Sequence, residues 1–463
     1  MGSGIIDISD KRVLFLGFGA VAKCVLYYFS EYFKYSESRI TIVDRCVQKN
    51  IPSQIKRILL EVTSYNFNEL LDSLSFSSGD IVIDLTACSD TYSFINISLN
   101  KGINYINTSI EDNDDLLRGT SIDLQQKVVK QIVGQHKNSN ILTECGQNPG
   151  LIQHYILYAL SQMDLMNGGS GAINKKNLRN VLKDYKIGTI YCSEVDSMEK
   201  KFKMKKSKIY NTWSVEGMIS EATDNTELVV GKSNNYVKPK ISKNKIKTYL
   251  NVNSKDEYRV LQLKSIGIHN KLNSICPVLK KNGQIKINEY SGYIIHHGEM
   301  FELARYFGKY APFMAYVYSI NKYAEKSIFN FLKRNSVNSL KLLLKEDCNS
   351  YEVFNNFSTR NKITGFDSIG CTIFCGTRSV DRVFWCGSIL STSDLQKNNP
   401  FTPTIVQVAA GVLSGLSYIL EYGKGGLYEP CDLDTNYILN KSVPLLGKFF
   451  FTEIEKSIVL KYS

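Results

Sequence analysis

The chain has 463 residues, 43% of them hydrophobic and 22% charged, with a formal net charge of +12 and eleven cysteines, a balance ordinary for a soluble globular protein of two or three domains. No run of about 18 apolar residues marks a membrane span, the N-terminus Met1–Asp7 lacks the basic start and apolar core of a signal peptide, and Gly2 has no Ser or Thr at the myristoylation spacing, since residue 6 is Ile. The cysteines are scattered, and no second pair joins Cys371 and Cys375 to complete a zinc spacing, so reduced thiols, a cytoplasmic location and no metal are expected.

Val13-Leu14-Phe15-Leu16 reads as a strand, Gly17-Phe18-Gly19-Ala20-Val21-Ala22 as a glycine turn, the stretch to about Phe33 as a helix, and Ile40-Thr41-Ile42-Val43 as a second strand leading into Asp44. This is the order a dinucleotide site requires. Gly17 permits the tight turn, and Gly19 lets the backbone approach a pyrophosphate seated on the helix N-terminus. Ala20 and Val21 complete the cofactor-binding turn, and small Ala22 lets the helix pack closely on the strand. Asp44 stands where a carboxylate accepts hydrogen bonds from a ribose 2′-hydroxyl and repels a 2′-phosphate, which favours NAD over NADP.

After the breaker Ser77-Ser78-Gly79-Asp80, Ile81–Leu85 is a buried strand, and Thr86 beyond it joins the cofactor-binding set. Ile103–Thr108 is another strand, followed by a helix from about Ile122 to Gln135 and a strand at Ile141–Thr143. The expected fold class is α/β. Residues 1–150 form a Rossmann-type, doubly wound parallel sheet, completed by a C-terminal helix at about 400–425. Leu151–Ser161 has helical periodicity, and the Gly-, Asn- and Ser-rich residues 165–176 read as a loop. Strand candidates follow at Ile187–Cys192, Ile209–Val215, Tyr258–Leu263 and Tyr290–His296; Glu299–Phe307 and Pro312–Leu332 read as helical or turn-rich. Residues 336–362 read as a polar, exposed insertion, Ile369–Cys375 with Arg382–Cys386 as a strand pair, and Thr404–Glu421 as a helix with small residues for close packing. A second, α+β domain for substrate binding and dimerisation is expected over 151–395, with 396–463 as a C-terminal return segment.

Basic charge gathers at Lys200–Lys208 and Lys238–Lys247. Either run can touch nucleic acid or an anionic surface, but a solvated loop or edge strand is the plainer reading, and neither a nucleic-acid nor a membrane partner is expected. The second half also offers Glu194, Trp213 in Asn211-Thr212-Trp213-Ser214-Val215-Glu216-Gly217, Glu221, and His296-His297-Gly298-Glu299. Taken singly, each has a bland reading: a strand Trp is core, a Glu is solvated, and adjacent histidines on a strand point to opposite sides.

The order of the motifs changes that weight. Cys145-Gly146-Gln147-Asn148-Pro149-Gly150, Asn211–Gly217, His297-Gly298-Glu299, Gly365–Gly370 with Trp385–Ser388, and Gln407–Gly415 form a series. The series resembles the bacterial-type homospermidine synthases of the saccharopine dehydrogenase-like superfamily, nearly end to end. The first motif is similar to that family's CGANPG, the second to its NTWSVDG and the last to its LQVTAGVLAG. His297-Gly298-Glu299 stands in place of HNE, and Gly365–Gly370 lacks the usual Asp-Glu-Leu. The resemblance implies a reaction on diamines. Putrescine gives a hydride to tightly bound NAD and becomes an imine, ammonia leaves, a second amine adds, and the hydride returns. It also implies a homodimer. Glu111, Asn148, Glu194, Trp213, Glu221, His297 and Glu299 match the family's site, and Asp367 is a further substrate-ligand candidate.

The residues suit this chemistry. A dicationic diamine approaching a basic protein needs a locally acidic site, which Glu194, Glu221 and Glu299 can supply. An indole face attracts an ammonium or iminium by about 2 kcal/mol or more when desolvated. Amine oxidation also needs a general base, either His297 or a neighbouring carboxylate. Two other readings stay open. One is a superfamily enzyme acting on a carboxylated secondary amine, for which the matched motifs offer no arginine clamp. The other is a non-catalytic nucleotide- or nucleic-acid-binding protein, suggested by the basic runs.

Overall fold

A computed structural model describes residues 4–46, 51–86, 90–110, 121–231, 239, 246–250, 258–347, 349–355, 363–377, 379–396 and 399–455. The chain divides into two compact units, Met1–Leu151 with Ile405–Leu445, and Ile152–Thr404 with Leu446–Ser463.

The first unit is a parallel sheet with the strand order Gly426–Tyr428, Asn140–Leu142, Asn104–Asn107, Ile81–Asp84, Val13–Leu16, Ile40–Asp44, Lys56–Leu59. The chain starts at Val13–Leu16, winds outward through Ile40–Asp44 to Lys56–Leu59, then crosses to Ile81–Asp84 and winds the other way. The reversal lies between Val13–Leu16 and Ile81–Asp84, the place where doubly wound sheets bind ligands beyond the strand carboxyl ends. Both strands are fully buried, as apolar runs flanked by helices on two faces require. Phe67, Leu70, Leu71, Phe94, Ile95 and Leu99 pack on one face, from the helices Phe67–Ser73 and Thr91–Lys101.

The second unit is built on a mixed sheet of ten described strands. Its centre runs Phe313–Ser319, Ile187–Asp196, Phe366–Cys375, Arg382–Ser391, Lys448–Glu453. Phe313–Ser319 and Ile187–Asp196 pair in parallel, while Phe366–Cys375 is antiparallel to Ile187–Asp196. The chain's last described strand thus returns to this sheet.

Several local expectations are corrected. Ile209–Val215 is a strand only over Ile209–Asn211; Ser214 caps a helix, Val215–Thr223, by accepting the Gly217 N–H at 3.0 Å. Pro312–Leu332 opens with the strand Phe313–Ser319, because Tyr316-Val317-Tyr318 alternates inside a buried ladder; Lys322–Leu332 is helical. The 165–176 loop ends in the start of a helix, Lys175–Asp184, whose Leu178, Val181 and Leu182 are buried. Residues 336–362 contain a helix, Val337–Glu346, and a strand, Tyr351–Val353, paired with Ile209–Asn211. The helix Pro403–Tyr422 is long and apolar enough to cross a membrane, but most of it is buried within the protein. Among the described residues eight cysteines are free and buried, whereas Cys46 is disulfide-bonded, against the expectation of reduced thiols. Most of the basic run 238–247 lies outside the described residues.

Candidate functional site

In the first unit the glycine turn has the geometry its sequence requires. Gly17 has φ +72°, and a Cβ there would come within 3.0 Å of the Leu85 carbonyl oxygen and of the Thr86 methyl. At Gly19 a Cβ would meet nothing within 4 Å, so the backbone faces open space at the start of the helix Ala20–Tyr32. No side chain caps that helix and no acid lies in its first turn, which leaves its N-terminal N–H groups and positive dipole end for an anion. Ala22 is buried against the sheet. The Asp44 carboxylate accepts the N–H groups of Phe18 and Cys46, both at 2.6 Å, and so ties the second strand to the turn. Thr86 donates its hydroxyl to Asp84 at 2.6 Å, and Tyr105 donates to the other Asp84 oxygen at 2.6 Å, which holds the Thr86 methyl over Gly17. These features fit a dinucleotide.

Asn148 lies in the same unit and precedes a cis peptide bond to Pro149. Its turn is closed by Gly146 N–H to the Pro149 oxygen at 2.8 Å, and the Gly411 Cα of the C-terminal helix rests on it. Glu111 lies outside the described residues.

The second unit gathers Glu194, Trp213, Glu221, His297, Glu299 and Asp367. Glu194 is 2% exposed, and its Oε2 accepts the Tyr316 hydroxyl at 2.5 Å. In register, Glu194 faces Tyr318 on one side and Ile369 on the other, and Asp196 faces Asp367. Residues two apart on a strand share a face, so Glu194 and Asp196 point the same way. The Tyr316 and Tyr318 rings stack at 5.6 Å, the His297 ring lies 4.3 Å from Tyr316, and the Trp213 indole N–H donates to the Tyr318 hydroxyl at 3.3 Å.

His297 sits between two carboxylates. Nδ1 is 3.2 Å from Glu299 Oε2, within hydrogen-bond geometry; Nε2 is 3.2 Å from Glu221 Oε2, an ion pair without that geometry. Burial lowers the imidazole pKa, but Glu299 and Glu221 outweigh it and hold it well above the ordinary range. The two carboxylates therefore favour the charged form of His297. Glu194 is raised to about 8, by burial first and then by Asp196 and Glu221, with the Tyr316 hydrogen bond and His297 opposing. Asp367 is 0% exposed, and among the described residues neither of its oxygens meets a partner in hydrogen-bond geometry, although Thr404 and the Ser368 backbone stand close enough to favour the charged form slightly. Burial, then Glu194 and Asp196, push Asp367 well above the usual carboxylate range. A buried orphan carboxylate must take up a proton or meet a cation. The second unit thus gathers five carboxylates, Glu194, Asp196, Glu221, Glu299 and Asp367, two of them beside the one imidazole, inside a chain of net charge +12.

The motif Asn211–Gly217 now has a reason at nearly every position. Asn211 Nδ2 donates to the Ser214 oxygen at 2.9 Å, Thr212 donates to Asp196, Trp213 donates to Tyr318, and Ser214 caps the helix. A Cβ on Gly217 would meet the Trp213 ring at 2.9 Å. Sequence reading missed Tyr316, Tyr318 and Asp196. The two tyrosines carried a period-two signal that a helical reading of 312–332 obscured.

Residues 13–133 match the family model described as the saccharopine dehydrogenase NADP binding domain. The chain is 22% identical to the homospermidine synthase of Mesorhizobium japonicum over 476 residues, covering 95% of this chain and 90% of that protein. It is 22% identical to the homospermidine synthase of Blastochloris viridis over 464 residues, with the same coverage. Among solved structures, the homospermidine synthase of Legionella pneumophila in complex with NAD superposes with a TM-score of 0.77 at 23% identity, covering 97% of this chain and 92% of that one. The resemblance seen in the motifs thus extends over nearly the whole chain, and the two-unit fold is that of the Legionella protein.

Proposed function

We propose that this chain is a homospermidine synthase, an NAD-dependent transferase that moves an aminobutyl group from putrescine or spermidine to putrescine, releasing ammonia or diaminopropane. What supports the reading is a side-chain cluster in the second unit: buried carboxylates, one of them without a partner in hydrogen-bond geometry among the described residues, beside an indole and two tyrosine rings in a basic protein. A dication suits it, since each charge-assisted contact contributes roughly 1.5–3 kcal/mol. A carboxylated secondary amine does not, because its carboxylate would meet five others. The first unit holds the cofactor through Gly17, Gly19, Ala20, Val21, Ala22, Asp44, Thr86 and Asn148, and Asp44 disfavours a 2′-phosphate. When bound, NAD supplies a hydride acceptor that returns what it takes, so no net oxidation occurs.

The chain's own residues bind and move protons. Glu194 and Asp367 hold the ammonium groups, and Trp213 presents its face to the iminium, which is flatter and less hydrated than the amine. An ammonium cannot release a hydride until it loses a proton. Glu194, whose proton affinity lies near working pH, is the acceptor that chemistry asks for, while His297 is already protonated and serves as donor to the leaving amine. Glu221 and Glu299 keep His297 charged. We extend the reading to a cytoplasmic homodimer with the second unit as its dimerisation domain, on the strength of the family resemblance.

The test is a product assay with putrescine deuterated next to its nitrogens. Homospermidine retaining the transferred deuterium, with ammonia released and no steady growth of NADH, is expected. Stoichiometric NADH with aminobutanal as the end product would overturn the synthase and leave a simple dehydrogenase.

A further inference from the structure

Three carboxylates crowd one face of the second sheet, and their hydrogen bonding separates them. Asp367 has no partner in hydrogen-bond geometry among the described residues, and Glu194 accepts the Tyr316 hydroxyl. Asp196 has most of its acceptor capacity engaged. Its Oδ2 accepts the Thr212 hydroxyl, and its Oδ1 accepts Asn321 Nδ2 at 2.9 Å and the Met198 N–H at 3.0 Å. Asn321 is fixed in turn: it donates to the Met198 oxygen at 2.8 Å and caps the helix Lys322–Leu332 through the Tyr323 N–H at 3.0 Å. Thr212 is fully buried, and its carbonyl accepts the Thr402 hydroxyl at 2.6 Å. The next residue is Trp213, whose indole N–H donates to the Tyr318 hydroxyl at 3.3 Å.

We infer that Asp196 is a positioning residue: it anchors Thr212 to the central sheet and so fixes the Trp213 indole over the diamine pocket, leaving the cation to Glu194 and Asp367. The inference rests on the proposed role of Trp213 in that pocket. Its physical basis is acceptor capacity. A carboxylate that already accepts three hydrogen bonds has little left to offer an ammonium, whereas an orphan carboxylate has all of it. Proton affinities agree with the geometry. Burial raises Asp196, but Thr212, Asn321 and Met198 pull it back to about 6, while Asp367 stays well above the carboxylate range.

The test works from the other end of the bond. Thr212→Val keeps shape, removes the hydroxyl and leaves every carboxylate in place. Trp213 and Trp385 are the two tryptophans, so a Trp385→Phe background makes Trp213 the sole indole reporter. In that background, without diamine, Thr212→Val should at least double acrylamide quenching of Trp213, and it should lower kcat/KM for putrescine about tenfold. Thr212→Ser, which retains the donor, should restore both. Asp196→Asn, whose amide can still bond Thr212, Asn321 and Met198, should leave KM within about threefold. Unchanged quenching in Thr212→Val, or raised quenching with unchanged kcat/KM, would overturn the inference. So would a tenfold or larger KM increase in Asp196→Asn, which would place Asp196 among the diamine's ligands. The quenching arm needs no substrate. A chain that does not use putrescine would therefore fail the functional reading and still show whether Asp196 holds the indole.

Discussion

Glu194 is the residue on which the site's charge turns. Its pKa near 8 means that much of it is protonated at neutral pH in the diamine-free protein, and only the carboxylate form attracts an ammonium. Binding of putrescine should therefore tighten as pH rises from about 6.5 to 8, and level off once Glu194 is ionised. Glu194→Gln should weaken binding by about tenfold at pH 8 and flatten the profile. Titration calorimetry on the cofactor-free protein reads both. A wild-type affinity independent of pH over that window would place the cation elsewhere. His297 works in the opposite sense. Glu299 and Glu221 favour its charged form, so in the proposed mechanism it is a donor and a local positive charge between those two acids. Sequence reading left the general base open between His297 and a carboxylate, and the proposed mechanism assigns it to Glu194.

Two helices show how a glycine's neighbours decide its role. Gly217 lies in the helix Val215–Thr223, where alanine would raise helix propensity by up to about 1 kcal/mol. Its Cβ would press on the Trp213 ring at 2.9 Å, and a side chain on a loop can yield. Gly217→Ala should hold or raise the melting temperature while lowering kcat/KM several-fold. Gly411 lies in the helix Pro403–Tyr422, and its Cβ would come 1.9 Å from the Gly146 carbonyl oxygen, which is backbone. Gly411→Ala should lower the melting temperature by several degrees, because the helix must move off the Cys145–Gly150 turn. Thermal melts alongside steady-state kinetics check the pair. The contrast fails if Gly217→Ala loses stability without losing activity. The small-residue helix was legible in sequence as one fit for close packing. Which turn it packs against was not, since Gly146 and Gly411 are far apart along the chain.

At the scale of the whole protein, the acidic pocket is a liability until a cation fills it. Glu194 binds its proton more tightly folded than unfolded, so its contribution to stability falls as pH rises from about 4.5 to 8. His297 is also raised, so its contribution is present below about 6.5 and is lost as pH climbs through its folded value. Both act in one direction. The diamine-free protein should melt at lower temperature at pH 8.5 than at 6.5, by an amount on the order of a few kcal/mol in stability. Putrescine should restore more of that stability at pH 8.5 than at 6.5. Calorimetric melts with and without putrescine test this, and a melting temperature that rises toward pH 8.5 without ligand would contradict it.

What the sequence determined by itself is what neighbours along the chain decide. The Gly17–Ala22 turn, its helix, the strand ending at Asp44 and the capping inside Asn211–Gly217 all involve residues a few positions apart, so their pattern survives in one dimension. The motif series also carried the family resemblance, and with it the expectation of diamine chemistry. Tertiary structure decided the rest. Tyr316 reaches Glu194 across 122 positions and Asn321 reaches Asp196 across 125. Those bonds exist because Phe313–Ser319 pairs with Ile187–Asp196, and no local periodicity encodes which strand lies beside which. The same pairing made a strand of a segment that read as helical, and a second pairing, of Phe366–Cys375 with the other edge of Ile187–Asp196, placed Asp367 opposite Asp196. Charge follows the same rule: a carboxylate looks ordinary in sequence, and only its burial and its partners decide whether it is solvated, anchored or left waiting for a cation.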